Sequence, residues 1–343
     1  MTTPASYGVA AQIDAMYDKL EAGGMGRAFI VGDSIAFRPA WHSYLRSEMG
    51  IDFGVAGYGY RGINPDFKYL DAQGVPEIKI AFAGLGSNLV KAKGTTKRDQ
   101  TWGIYEPDGI FTRMRSDGSV TLTIPAGLTV KLHYLRQPDG GTLAVDKSGV
   151  RIQTIDTNGS IGNVIVSLTS GTKYKLYSTS AAWVQVNALE TTKSVGFVMD
   201  RLARGQDNPH GYNTGDTPSS SSAITALAPD LILIQTDWYV PNQSKASFIA
   251  DMNAYIAFVR AAVPGVGIVL IAHHAMSADS QDVSDTLYAI AQDVGCGFID
   301  HLQVMTYTDM VANNYIQTDG THLTNAGGSF FAHCDAELFR STR

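Results

Sequence analysis

A buried β-strand that ends at a serine is predicted by residues 28–34, Ala28-Phe29-Ile30-Val31-Gly32-Asp33-Ser34. An apolar run of this length followed by a glycine is typical of a strand covered on both faces. Far downstream, the stretch Asp319-Gly320-Thr321-His322 places a histidine three residues after an aspartate. That spacing lets one short turn present both side chains together.

These two stretches supply the three groups of a nucleophilic triad. A serine hydroxyl is a poor nucleophile until a base takes its proton, and a third group must orient that base. We therefore predict Ser34 as the nucleophile, His322 as the general base and Asp319 as the residue that orients it. Taken singly, each stretch indicates only a turn or a loop, and it is their combination that favours a triad.

Both stretches resemble blocks of the SGNH (GDSL) hydrolases. Gly32-Asp33-Ser34 is similar to the first block of that family and Asp319-x-x-His322 to the last, and they lie near opposite ends of the chain as in the family. The resemblance implies a serine hydrolase with a three-layer, flavodoxin-like α/β fold and no cofactor.

The last third of the chain alternates strands and helices. Apolar runs predict strands over 231–234, 267–271 and 297–299, and helical spacing predicts helices over 246–262 and 282–294. Buried strands separated by helices indicate a parallel sheet covered on both faces.

The middle of the chain has a different pattern. Between about residues 119 and 189, six or seven short runs alternate apolar and polar residues and are separated by glycine-rich turns. This pattern is typical of an all-β sandwich.

The sandwich is predicted to be an insertion, because it lies between Ser34 and His322. The predicted organisation is a first hydrolase part over 1–75, an inserted β-sandwich over 76–190 and a second hydrolase part over 191–343.

An SGNH core interrupted by a β-sandwich is similar to the peptidoglycan O-acetylesterases, in which a carbohydrate-binding-module-like domain is inserted into the hydrolase. Two segments support this resemblance, residues 57–62 before the insertion and 134–141 within it. The resemblance implies removal of O-acetyl groups from a polysaccharide. Tail proteins of some phages also carry SGNH deacetylases, which keeps a virion origin open.

The resemblance also implies an oxyanion hole, made in this family from the nucleophile's N–H, a glycine N–H and an asparagine side chain. Loss of one such donor costs about 10²–10³ in rate. Ser34 supplies the first donor, and Gly205 is our candidate for the second, with Gly57 as its rival. At the asparagine position, after the strand that ends at residue 234, the chain has Asp237.

Asp237 departs from the family pattern, because an ionised carboxylate repels an oxyanion. Three alternatives follow: Asp237 is protonated by its surroundings, another donor such as Trp238 or Asn242 replaces it, or the chain is a weak or inactive relative.

We expect Asp33, Tyr60, Arg61 and Trp238 to contact the substrate. The Gly57-x-Gly59-x-x-Gly62 spacing formally matches a dinucleotide fingerprint, but Pro65 interrupts the helix which that motif requires. A mobile substrate loop is the favoured interpretation of this segment.

The histidines outside the predicted triad do not form the pattern of a metal site. His273 and His274 are adjacent on or after a strand, so they point to opposite faces and cannot chelate one ion. Asp300-His301 is a second acid–base pair at a strand end, but it lacks a serine partner.

Composition and charge limit which classes of partner the chain can bind. The chain has 343 residues and a net charge of −6 without a basic cluster, which argues against nucleic acid. No apolar run approaches the ~20 residues of a membrane span, and the start shows no signal peptide. We expect an acylated polysaccharide as partner, a homo-oligomer if the chain belongs to a virion tail, and an extracellular or virion-associated rather than cytoplasmic location.

Two classes of function follow. The first is an SGNH esterase that acts on an acylated glycan. The second is a non-catalytic or weakly active glycan-binding protein, such as a phage tail adhesion protein, that retains the fold.

Overall fold

A computed structural model of the chain describes residues 3–63, 78–84, 88–92, 111–203, 209–214, 224–236, 244–276 and 281–343. The strands are β1 (Ala5–Tyr7), β2 (Met25–Gly32), β3 (Gly59–Gly62), β4 (Lys79–Ala83), β5 (Leu89–Ala92), β6 (Phe111–Met114), β7 (Ser119–Ile124), β8 (Thr129–Arg136), β9 (Thr142–Lys147), β10 (Val150–Asp156), β11 (Gly162–Leu168), β12 (Thr172–Ser178), β13 (Val184–Thr192), β14 (Gly196–Arg201), β15 (Leu231–Gln235), β16 (Gly267–Ala272) and β17 (Gly297–Asp300). The helices are α1 (Val9–Glu21), α2 (Ser34–Phe37), α3 (Pro39–Phe53), α4 (Pro209–Thr214), α5 (Lys245–Ala262), α6 (Gln281–Val294), α7 (Tyr307–Ala312) and α8 (Asn325–Ser341).

The central sheet has the strand order β1-β17-β16-β15-β2-β14. Strands β14, β2, β15, β16 and β17 are parallel, which confirms the predicted parallel sheet. β1 adds an antiparallel edge beside β17. Its three residues are all exposed, so β1 carries no apolar pattern that would predict a strand.

Helices cover both faces of this sheet and make the fold three-layered. Helices α1, α3 and α8 pack on one face, where Ile13, Leu45 and Phe331 lie in one apolar core. Helices α5 and α6 pack on the other face, where Phe248 and Leu287 lie in a second core. Both faces of the central strands are therefore buried, as their continuous apolar runs predict.

Close packing between α3 and α8 depends on a glycine. A Cβ on Gly328 would overlap the carbonyl oxygen of Ala40, so only glycine permits this approach. α3 begins with Pro39, which suits a first turn because proline lacks the N–H that would have no helical acceptor there. α8 begins after Thr324, whose Oγ1 accepts a hydrogen bond from the Gly327 N–H at 3.1 Å. These contacts fix the C-terminal helix against the segment that follows Ser34.

Two antiparallel sheets, inserted in the chain between β2 and β14, form the β-sandwich. Their strand orders are β10-β9-β12-β7-β4 and β11-β8-β13-β6-β5. Alternating apolar residues of the two sheets, among them Leu122, Leu132, Leu176 and Val186, meet in one core. The predicted inserted all-β sandwich is confirmed.

The segment 59–62 is a strand, so the prediction of a mobile substrate loop there is wrong. It forms β3, which pairs with β13 of the sandwich. The N–H of Tyr60 donates to the carboxylate of Asp200 on β14, and the Tyr60 side chain is fully buried. β3 therefore joins the sandwich to the edge of the central sheet.

One of the two predicted domain boundaries falls within β13. β13 continues to Thr192, past the boundary placed after residue 190. The boundary after residue 75 lies outside the described residues. The division into 1–75, 76–190 and 191–343 stays a prediction.

A buried ion network connects the two parts. Arg27 on β2 places Nε 2.6 Å from Asp200 Oδ2 and Nη2 2.8 Å from Glu190 Oε1 on β13. His133 on β8 places Nε2 3.3 Å from Glu190 Oε2. The exposed fractions of the side chains are 6% for Arg27, 2% for Glu190 and 0% for Asp200, so one guanidinium bridges two acidic side chains away from water.

Candidate active site

Ser34 lies where β2 ends and α2 begins, at the carboxyl edge of the parallel sheet. Ligands of open α/β sheets bind at this edge. A Cβ on Gly32 would overlap the Gln235 carbonyl oxygen of the neighbouring strand, so the sharp exit from β2 requires glycine. Asp33 caps the following turn, because its Oδ1 accepts a hydrogen bond from the Ile35 N–H at 2.8 Å.

Residues 319–322 form a closed turn between α7 and α8. Asp319 Oδ1 accepts hydrogen bonds from the N–H groups of Thr321 at 3.0 Å and His322 at 2.9 Å. Gly320 has a φ of 71°, a conformation that favours glycine. The Gln317 N–H donates to the His322 carbonyl oxygen at 2.7 Å and closes the loop. The conformation of the segment Asp319-Gly320-Thr321-His322 is thus determined mainly by contacts within and next to the segment itself.

This turn brings His322 to Ser34. His322 Nε2 lies 2.9 Å from Ser34 Oγ, and His322 Nδ1 lies 2.8 Å from Asp319 Oδ2. Since a carboxylate can only accept, Nδ1 carries the proton and Nε2 is left to accept from the serine hydroxyl. That tautomer is the one a general base for Ser34 requires.

The turn is accessible to solvent, and its carboxylate is held ionised. The exposed fraction of the side chain is 43% for Asp319 and 15% for His322. Desolvation alone would raise the pKa of Asp319, but the N–H groups of His322 and Thr321 and the His322 ring hold that pKa well below its ordinary range. Asp319 therefore stays negative at weakly acidic pH and can orient His322 there.

Arg38 and Gln317 border the triad, and no sequence pattern predicts either of them. Arg38 Nη1 donates to Gln317 Oε1 at 2.8 Å and lies 3.8 Å from Asp319 Oδ2. The two residues are far apart in sequence, and neither belongs to a recognisable motif. Arg38 places a positive charge at the rim of the site.

The predicted oxyanion residues Gly205 and Asp237 lie outside the described residues, and their roles stay predictions. The rival Gly57 is described. It is buried against β13, where a Cβ would overlap the Thr191 carbonyl oxygen. Packing against β13 is thus sufficient to explain a glycine at position 57.

Two of the predicted substrate contacts are wrong. Asp33 and Tyr60 are both 0% exposed. Asp33 is used as a helix cap, and the Tyr60 ring packs edge-on against His133 with centroids 4.9 Å apart. Arg61 lies in β3, while its side chain and Trp238 are outside the described residues, so these two contacts stay predictions.

The other acid–base pair of the sequence is part of the core. His301 Nε2 pairs with Asp335 Oδ1 at 2.8 Å rather than with Asp300. The Trp41 indole N–H donates to the second Asp335 oxygen at 2.8 Å. Within the described ranges, no cluster of three or more His, Cys, Asp or Glu side chains could hold a metal ion. In the same part of the chain, no helix combines the length and the apolarity needed to cross a membrane.

Comparison with known proteins places this geometry in a fold family. No protein-family model matches the chain, and no curated protein sequence matches it. Its structure is similar to that of a peptidoglycan O-acetylesterase, with a TM-score of 0.74 and 16% identity over 98% of this chain and 99% of the other. The chain has the SGNH-hydrolase fold. The likeness includes the inserted sandwich, since it covers both chains almost completely.

Two other solved structures are less similar to this chain. A protein from Bacillus subtilis has a TM-score of 0.39 and 15% identity over 82% of this chain and 90% of its own. A family two carbohydrate esterase from Clostridium thermocellum has a TM-score of 0.36 and 10% identity over 74% of this chain and 98% of its own. Alignments this loose add nothing to the fold assignment.

Proposed function

We propose that this chain is an SGNH-type serine esterase that removes O-acetyl groups from a polysaccharide. The observation that carries the proposal is the hydrogen-bonded series Ser34–His322–Asp319, with contacts of 2.9 and 2.8 Å, at the open carboxyl edge of the sheet. Three groups from opposite ends of the chain meet there in the order that nucleophilic catalysis requires.

The geometry supports an acyl-enzyme mechanism. His322 Nε2 takes the proton of Ser34 Oγ as that oxygen forms a bond to the ester carbonyl carbon. The tetrahedral intermediate collapses, the carbon–oxygen bond to the sugar breaks, and His322 returns the proton to the leaving sugar hydroxyl. Water then attacks the acyl-Ser34 ester with His322 again as base, which releases acetate and restores the serine. Asp319 stabilises the imidazolium in each half-reaction.

The oxyanion would be held by the Ser34 N–H at the start of α2, the Gly205 N–H and the Asp237 side chain. Removal of one donor from such a site costs about 10²–10³ in rate. For Asp237 to donate, its carboxyl must be protonated when the substrate binds.

A polysaccharide substrate is supported by the architecture. A solved structure that is similar over almost the whole of both chains is a peptidoglycan O-acetylesterase. We propose that the inserted domain, residues 76–190, holds the polymer beside Ser34. A glycan of this kind fits an extracellular or virion-associated site of action.

A second candidate function rests on Asp237. An aspartate where the family pattern has asparagine favours a weakly active or non-catalytic glycan-binding protein, such as a phage tail adhesion protein. Esterase activity separates the two candidates directly.

The test is hydrolysis of p-nitrophenyl acetate by the wild type and by Ser34→Ala. Ser47→Ala is the matched control, because Ser47 lies on α3 and donates only to the Ser43 carbonyl oxygen of its own helix. The proposal expects wild-type turnover, retention in Ser47→Ala and a loss of at least about 10³-fold in Ser34→Ala. Equal rates in the wild type and Ser34→Ala would favour the glycan-binding candidate.

A further inference from the structure

Two consecutive histidines, His273 and His274, lie directly after β16 and between the two turns that carry the triad. Each one contacts a different turn. His274 Nε2 lies 2.9 Å from the Thr321 carbonyl oxygen. Thr321 is the residue between Gly320 and His322, and its own N–H is bonded to Asp319. His274 therefore contacts the centre of the turn of residues 319–322, called here the acid–base turn.

His273 contacts the other turn. Its Nε2 lies 3.2 Å from Asp33 Oδ2, and both side chains are at most 1% exposed. The second oxygen of Asp33 caps the Ile35 N–H at 2.8 Å. Asp33 immediately precedes Ser34, so His273 contacts the turn of residues 32–35 that carries the nucleophile, called here the nucleophile turn.

We propose that His273 and His274 are positioning residues that keep the nucleophile turn and the acid–base turn at a fixed distance from each other. This inference rests on the proposed esterase function. Because the two residues are adjacent, their side chains leave the strand end in opposite directions. One backbone segment therefore contacts both turns, and a shift of that segment changes the distance between Ser34 Oγ and His322 Nε2.

The state of His274 suits this task. Desolvation and the neighbouring His273 lower the pKa of His274 to about 3, so the ring stays neutral. Because a carbonyl oxygen only accepts, Nε2 carries the single proton and donates it to Thr321. The donor is then present at every pH at which an esterase operates.

Fold stability does not explain His274. Its Nδ1 is buried and has no hydrogen-bond partner among the residues that the structure describes. A buried acceptor without a partner costs about 1–3 kcal/mol. An apolar side chain beside the Phe331 ring, whose centroid is 5.7 Å away, would avoid that cost. The imidazole is therefore best explained by the hydrogen bond that it gives to the acid–base turn.

The expected effect follows from the geometry of the triad. The Ser34–His322 contact is 2.9 Å, and a displacement of about 1 Å in such a contact costs roughly 10²-fold in rate. We expect His274→Leu to lower kcat about 10–100-fold with little change in KM, because the His274 side chain is fully buried. His274→Gln should recover most of that loss, since its amide N–H ends near the position of Nε2. His274→Asn, with a side chain one methylene shorter, should not.

His301 provides a matched control. It is also a buried histidine packed on Phe331, at 5.0 Å, but its Nε2 bonds Asp335 and not a triad turn. His301→Leu should therefore retain kcat, even where the lost Asp335 contact lowers its melting temperature.

The decisive experiment measures the rate at which a fluorophosphonate probe labels Ser34, which reports serine activation without any choice of substrate. Wild type, Ser34→Ala, His274→Leu, His274→Gln and His301→Leu are compared, with His274→Asn in place of a leucine variant that fails to fold. We expect labelling of His274→Leu to be 10–100-fold slower than that of the wild type and His301→Leu. In an Asp319→Ala background, His274→Leu should cost less than about 3-fold, since His322 has already lost the carboxylate that orients it.

Two results would overturn the inference, and they differ. Fast wild-type labelling with equally fast labelling of His274→Leu would remove the positioning role and leave the proposed function intact. Wild-type labelling as slow as that of Ser34→Ala would remove the proposed function and the inference with it.

Discussion

Replacement of Arg27 by methionine should weaken the junction between the central sheet and the sandwich. Methionine keeps the apolar stem of the side chain but removes the guanidinium from Asp200 and Glu190, which it contacts at 2.6 and 2.8 Å. It also removes the hydrogen bond from Nη1 to the Leu227 carbonyl oxygen at 3.0 Å. Two carboxylates with exposed fractions of 0% and 2% then lose their main counter-charge.

The magnitude follows from these contacts. Breaking a buried ion pair from one side costs about 3–5 kcal/mol. Asp200 keeps its hydrogen bond from the Tyr60 N–H and Glu190 keeps its contact with His133. We therefore expect Arg27→Met to lower the free energy of unfolding by about 4 kcal/mol. Unfolding entropy is about 2.1 cal/mol/K per residue, which gives about 0.7 kcal/mol/K for 343 residues. The melting temperature of Arg27→Met should fall by about 6 °C when the whole chain unfolds cooperatively.

Lys131→Met is the matched control, because Lys131 Nζ approaches the same carboxylate at 3.3 Å but is 34% exposed. A pair this accessible contributes at most about 1 kcal/mol, so its melting temperature should fall by no more than about 1–2 °C. Calorimetry of both variants at neutral pH makes the comparison. Equal shifts in the two variants, or an Arg27→Met shift below about 1 °C, would refute the role assigned to the buried network.

Three further predictions concern single residues. Burial alone would raise the pKa of Glu190, but the His133 hydrogen bond and the Arg27 charge lower it from 4.5 to about 2. Its ionisation therefore stabilises the fold above pH 4.5 and that contribution is lost as pH falls towards 2. Chemical denaturation should show that Glu190→Gln loses less stability than the wild type as pH falls across this window. An equal dependence of the unfolding free energy on pH in the two proteins would contradict the lowered pKa of Glu190. Gly328→Ala should cost about 2 kcal/mol or more in thermal unfolding, because the new methyl meets the Ala40 carbonyl oxygen. Gly162→Ala, with open space at the same atom, should stay within about 0.5 kcal/mol, and similar costs for both would contradict the packing argument. Asp237→Asn should keep or raise esterase activity at alkaline pH, because an amide donates at every pH, whereas abolished activity in a folded variant would show that the carboxylate has another role.

Local patterns predict the parts of the site that local contacts determine. The Asp319 carboxylate accepts hydrogen bonds from the backbone N–H groups of Thr321 and His322, so four consecutive residues are enough to recognise this turn. In the same way, apolar runs in the last third of the chain predict its buried strands. Strands β15, β16 and β17 begin at the predicted residues 231, 267 and 297.

Contacts between distant segments could not be predicted. β3 is four residues long and contains two glycines, so nothing in its sequence indicates a strand, and its partner β13 lies more than a hundred residues downstream. Tyr60 is buried at that pairing, and no local pattern distinguishes it from an exposed aromatic residue that could contact substrate. The partner of His274 is a backbone carbonyl oxygen, 47 residues away, and no residue type at Thr321 signals it.

The most direct test of the central claim is acetate release from a panel of O-acetylated polysaccharides, with peptidoglycan included, by the wild type and by Ser34→Ala. The proposed function predicts that the wild type releases acetate from at least one of these polymers. It also predicts that Ser34→Ala, folded and with an unchanged melting temperature, releases none above the uncatalysed rate. Equal release by the two proteins, or none from any polymer by the wild type, would contradict a serine esterase that acts on acetylated polysaccharide through Ser34.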